Sequence, residues 1–146
     1  MKKLWSLYKF VIISYAAWLT LLVLIYGVSI DWWQLQFRFL GPVPWANFDG
    51  AHYLGIAADG YSQYQQAFFP LYPLVISTLT RIWDIAPYMV GLVISHASFL
   101  VGLCLLYTYA RKFGEDAARW TIVLLLVYPM SFYFASVYTE SLYFML

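Results

Sequence analysis

Three stretches without a single Asp, Glu, Lys or Arg dominate the chain, at residues 10–30, 85–110 and 120–139. At about 1.5 Å per helical residue each is long enough to cross a hydrocarbon core of about 30 Å. The chain is therefore read as an all-α polytopic membrane protein. Its composition agrees, because 10% of its 146 residues are charged and its mean hydropathy is +0.71, whereas soluble domains carry about 25% charged residues. Aromatic residues reach 22%, as suits a chain with many segments at headgroup level.

Other classes fall away on the same grounds. The net charge is +1 with no basic block, so no nucleic-acid partner is expected. Cys104 is the lone cysteine, set inside an apolar run, which excludes an internal disulfide or cysteine metal cluster and reads as a small buried hydrophobe. The N-terminus opens like a signal peptide, but 21 uncharged residues exceed the roughly 7–15 of a signal core, and "GVS" at 27–29 is a weak cleavage site. The run reads as a retained transmembrane helix. The final "TESLYFML" stops inside an apolar run, so the chain reads as the N-terminal part of a longer protein, with a fourth span starting at 140–146.

Charge counting orients these spans. Lys2, Lys3 and Lys9 place the N-terminus in the cytoplasm, and "RKFGEDAAR" at 111–119 supplies Arg111, Lys112 and Arg119 to a second cytoplasmic segment. Spans at 10–30, 85–110 and 120–138 satisfy both, leaving 31–84 as a long extracytoplasmic loop. The apolar stretch 67–83 then lies on the outer surface as an interfacial or re-entrant helix, where Arg81, Trp83 and Asp84 are at ease. Within the loop, "WWQLQFRFL" alternates polar and apolar residues and suits an extended segment. "GPVP" turns the chain, and short interfacial helices follow near 49–60 and 70–83.

The polar residues concentrate in "WANFDGAHYLGIAADGY" at 45–61. A helix starting at Asp49 puts Asp49, His52, Tyr53 and Ile56 at i, i+3, i+4 and i+7, on one face. Asp49 also fits an N-cap and Gly60 a helix end, while Asp59-Gly60 reads as a turn. Pro70 and Pro73 suit a helix entrance. Arg38 and Arg81 suit membrane anchoring or a lipid phosphate, and His96 an interhelical hydrogen bond. Glu140 follows the third run and emerges on the same outer surface as Asp49.

Three blocks in order, "NFDGAHYLGIAADGY", "AFFPLYP" and "YPMSFYFASVYTESL", resemble the PIG-V type of mannosyltransferase. That family includes the second mannosyltransferase of GPI-anchor assembly and prokaryotic relatives, within the GT-C membrane glycosyltransferases. The resemblance covers about residues 40–146. It implies the N-terminal part of a GT-C transmembrane helical bundle, taking mannose from a polyprenyl-phosphate carrier on the extracytoplasmic side, in the plasma membrane of a prokaryote or the endoplasmic reticulum of a eukaryote. Most of the donor pocket would then lie beyond Leu146.

The resemblance also implies an acidic residue of the first outer loop near the catalytic centre, and the matching position is Asp49. A lipid phosphate leaves without help from an acid, so the chemistry needs mainly a base, and Asp49 is expected to deprotonate the acceptor hydroxyl with inversion at the anomeric carbon. His52, Tyr53, Tyr72, Tyr138, Glu140, Arg38 and Arg81 are the expected substrate-binding residues. Asp49, His52 and Glu140 are chemically suited to a divalent cation, but their spacing is a poor metal signature and none is expected. The competing class is a non-catalytic scaffold holding lipid headgroups, or a transporter fragment.

Overall fold

In a computed structural model, which describes residues 2–36 and 44–146, with side-chain environments for 5–28 and 45–146, the described residues form helices and turns without a strand. Helix α1, Lys2–Gln36, is 35 residues long, about 52 Å. Residues 32–36, expected to be extended, continue this helix, because no proline or capping glycine intervenes before Gly41. The remainder of that expected segment, 37–40, lies outside the described residues. Helix α4, Pro87–Ala110, starts with Pro87 in its first turn, where the missing N–H is not needed. A 3₁₀ turn carries it to Phe113, and Gly114 ends it with φ +116°, a conformation that favours glycine.

Trp5–Val28 of α1 and Pro87–Phe113 are both long and apolar enough to cross a membrane, and the chain is a membrane protein. The two helices are pinned by side-chain hydrogen bonds that lipid cannot replace. Tyr15 Oη lies 2.7 Å from His96 Nδ1, and Tyr8 Oη lies 3.0 Å from Thr108 Oγ1. Such bonds within a bilayer contribute roughly 0.6–2 kcal/mol each. Around them Val11, Trp18, Phe99, Leu103 and Ile122 form one buried apolar cluster.

The third apolar run departs from the single helix expected over 120–138. Helix α5, Glu115–Val127, is followed by a 3₁₀ helix at Pro129–Ala135 bent by 84° from it. Pro129 has no N–H to continue α5, and it holds Tyr128 out of the helical region, at φ −57° and ψ 130°. The break is supported by hydrogen bonds: Ser131 Oγ donates to the Leu126 carbonyl at 2.8 Å and accepts from Trp18 Nε1 at 3.1 Å. Beyond it, helix α6, Glu140–Met145, folds back along α4. Gly102 permits this, since a Cβ there would stand 2.5 Å from a Phe144 ring carbon.

Where the sequence places short helices near 49–60 and 70–83, the structure has α2, Asp49–Asp59, and α3, Leu71–Trp83. Helix α3 has 13 residues, about 20 Å, short of the roughly 30 Å of a hydrocarbon core. Its exposed Leu74, Ile82 and Trp83 suit a helix lying at a membrane surface. A second buried cluster, including Tyr53, Ala57, Tyr72, Ile76, Val90 and Val137, holds α2 and α3 against the start of α4.

Candidate functional site

The site is built where residues near 47 meet residues near 138. The Val137 N–H donates to the Trp45 carbonyl at 2.8 Å, and Tyr138 Oη donates to the Asn47 carbonyl at 3.0 Å. Two glycines make room for this seam. A Cβ on Gly50 would meet the Val137 carbonyl oxygen at 3.1 Å, and a Cβ on Gly91 would meet Val137 Cγ1 at 2.8 Å. Fully buried Val137 is thus wedged between the first turn of α2 and the first turns of α4.

Tyr53 is the hub. Its ring packs edge-on against Phe68 and Tyr72, with centroids 5.1 and 5.3 Å away. Its hydroxyl lies 3.1 Å from Thr139 Oγ1. One buried side chain therefore joins all three blocks. Tyr72 is anchored further inside: its hydroxyl donates to the Gly91 carbonyl at 3.0 Å and lies 2.8 Å from Ser95 Oγ. With those partners it holds α3 to α4 rather than offering a group to a ligand.

Asp49 is the first residue of α2 and not its cap. Phe48 occupies the cap position at φ +52° and ψ −119°, a strained backbone for an aromatic residue. The Asp49 carboxylate is exposed and makes no hydrogen bond or ion pair with the described residues, which leaves its oxygens open to an incoming group. Glu140, first residue of α6, retains solvent access. Partial burial raises its carboxyl pKa, its own backbone N–H opposes the rise, and the Asp49 charge adds to it. The two carboxylates therefore sit within electrostatic reach of one another.

Both also act on the neighbouring phenols. Burial, then Asp49, Tyr133 and Glu140, push Tyr138 up to about 12, against a stabilising contribution from the Asp49 backbone N–H. Tyr53 is raised chiefly by burial, with Glu140 and Asp49 adding and the Thr139 hydroxyl opposing. Tyr72 is raised chiefly by burial as well. All three phenols keep their protons at neutral pH. The result is an exposed mouth with two carboxylates, underlain by buried neutral phenols.

The other expected residues stand apart. His52, expected on the face of Asp49 and Tyr53, is exposed; its ring stacks on Phe68 at 4.8 Å, and its Nδ1 lies 3.3 Å from Gln65 Nε2. The buried face of α2 is Gly50, Tyr53, Ile56 and Ala57, so His52 lies on the exposed side of α2, as Asp49 does. Arg81 is exposed in the last turn of α3, without an ion pair among the described residues. Arg38 lies outside the described residues. No three His, Cys, Asp or Glu side chains converge as metal ligands among the described residues.

Thr139, Asn47 and Val137 were not singled out by sequence reasoning. Thr139 ends an apolar run and Asn47 contributes a backbone carbonyl, so neither carries a side-chain pattern to read. Val137 had an indirect signal in Gly50 and Gly91, small residues that mark close approach. The chain matches no protein-family profile, no curated protein and no solved structure.

Proposed function

We propose that this chain belongs to a polyprenyl-phosphate-mannose-dependent glycosyltransferase of the PIG-V and GT-C type, with Asp49 as general base on the extracytoplasmic side. The observation that carries the reading is the convergence on Tyr53 of the three sequence blocks, which places Asp49 and Glu140 at one mouth. Asp49 takes the proton of an acceptor hydroxyl as that oxygen bonds to the anomeric carbon. The bond from that carbon to the carrier phosphate breaks, and polyprenyl phosphate leaves with the electron pair. Configuration inverts because the hydroxyl enters opposite the phosphate.

Glu140, with its raised pKa, holds a sugar or acceptor hydroxyl by hydrogen bonding. Tyr53 and Tyr138 set the distance between α2 and the segment after Ala135, and Tyr72 holds α3 to α4 beneath them. His52, exposed beside Phe68, is available to a sugar approaching from that side, and Arg81 and Arg38 to lipid phosphate. The break at Tyr128–Pro129 is the feature a transporter would share. Its side-chain hydrogen bonds among the described residues run between Leu126, Ser131 and Trp18, none with an ionisable side chain, which favours a packing role.

This chain alone is expected to be inactive, so the test uses the full-length protein: membranes containing it, supplied with mannosyl-phosphoryl-polyprenol labelled in the sugar, should release polyprenyl phosphate and yield a labelled acceptor, and nucleotide-linked mannose should not substitute. Equal transfer from the nucleotide sugar, or none from the lipid-linked one, would sink the proposal.

A further inference from the structure

At the opposite end of α4 from Gly91, a cleft of about 350 Å³ opens between α1, the end of α4 and the start of α5. Sixteen residues of helix separate Gly91 from Tyr107, about 24 Å, so this cleft is distinct from the carboxylate mouth. Its charged lining is Lys9, Arg111, Arg119 and Glu115, a surplus of two positive charges. Glu115 is already engaged: Tyr107 Oη donates to its Oε1 at 2.5 Å, Arg111 Nε approaches Oε2 at 3.0 Å, and Arg119 Nε approaches Oε1 at 3.4 Å. The Arg119 guanidinium also lies over the Phe10 ring, 5.6 Å from its centroid.

These contacts hold both guanidinium groups through Nε, and a guanidinium carries five N–H donors. Lys9, one helical turn from Ile13, is exposed and makes no ion pair with the described residues. The rest of the lining is largely apolar, with Leu7, Phe10 and Ile13, and continues into the exposed Leu21, Val23 and Leu24 of the membrane-crossing α1. Cations at one end of an apolar helix surface match a phosphate whose remainder lies in hydrocarbon.

We infer that this cleft binds the phosphate of an anionic phospholipid, with Lys9, Arg111 and Arg119 holding the headgroup and an acyl chain lying along α1. The inference does not depend on the glycosyltransferase reading. Topogenic charge alone would account for cations near this end. It does not require them to gather in one cleft with their guanidinium groups fixed and an apolar floor beneath.

Calorimetric titration of the purified chain in neutral detergent tests it, using dioctanoyl phosphatidylglycerol, dioctanoyl phosphatidylcholine and inorganic phosphate as three separate probes. Phosphatidylglycerol should bind at least about tenfold more tightly than either of the others, as expected for charge-assisted phosphate contacts joined to an apolar chain. Lys9→Gln with Arg119→Gln should lose at least about tenfold of that affinity, and Arg119→Lys, which keeps the charge but not the guanidinium fork, should lose less, whereas Lys112→Gln, a cation outside the lining and over the Tyr109 ring, should bind as the parent does. Lys9→Glu breaks no ion pair among the described residues and should by itself weaken binding at least about fivefold. Equal binding of phosphatidylcholine, or undiminished binding by Lys9→Glu, overturns the inference. Inorganic phosphate binding as tightly as the lipid overturns the lipid assignment.

Discussion

Val137 is the wedge on which the carboxylate mouth rests, and its packing against Gly91 can be measured as a coupling energy. A Cβ at Gly91 would lie 2.8 Å from Val137 Cγ1 and 3.3 Å from Val137 Cγ2 and from Ile76 Cδ1. Gly91→Ala should therefore destabilise the protein by about 1–3 kcal/mol through overpacking. Val137→Ala removes two methyl groups from a fully buried site, a cost of about 2–3 kcal/mol from transfer and cavity together. In the double variant the new methyl at position 91 occupies space that the valine vacated. The double variant should thus fall short of the summed single costs by at least about 1 kcal/mol. Unfolding in mixed micelles by titration with sodium dodecyl sulfate, followed by tryptophan fluorescence, supplies the four free energies. Gly27→Ala, with nothing within 4 Å of its Cβ position, is the control and should stabilise by about 0.5–1 kcal/mol. Additivity of the Gly91 and Val137 costs within about 0.5 kcal/mol would refute the wedge.

Glu140→Gln should make the protein more stable than the parent at neutral pH. The folded state raises the Glu140 pKa, so the native form is favoured while the group is protonated and loses that advantage as pH rises through the folded pKa. Stability measured from pH 3 to 8 should show the gain shrinking as pH falls, and a gain that grows on acidification would contradict the burial of Glu140. Tyr15→Phe removes the hydroxyl bonded to His96 and should cost about 0.5–2 kcal/mol in the same micelle titration; an unchanged midpoint would mean that the α1–α4 hydrogen bond contributes nothing. In a Cys104→Ser background, cysteines at Ser62 and Gly114 should be labelled from opposite sides of the membrane, and labelling of both from one side would mean that residues 67–83 cross it.

The helical character of the membrane-crossing segments was legible because hydrocarbon leaves the backbone few choices, and uncharged runs at 10–30 and 85–110 announce themselves. The break after Val127 was less so, although Pro129 was in plain view. An isolated proline in an apolar run is compatible with a tolerated kink and with a full reversal, and which one results depends on partners such as Ser131 and Trp18. At the site, helical spacing put Asp49, His52 and Tyr53 on one segment, of which Tyr53 is buried and the other two are exposed. Spacing fixes angles around α2 and leaves open which side is buried; Gly50 and Val137 decide that, and they are 87 residues apart in the chain. Asp49 fitted a cap equally well by sequence, and its place inside the first turn depends on the Phe48 backbone.

The proposed role of Asp49 as general base is tested most directly by the rate of mannose transfer from mannosyl-phosphoryl-polyprenol by Asp49→Asn in the full-length protein, in membranes where the variant's level and its thermal unfolding equal the parent's. Loss of a general base from the reacting hydroxyl should lower kcat by about 10²–10⁴ with little change in KM. Turnover within a few fold of the parent would show that Asp49 does not take the proton.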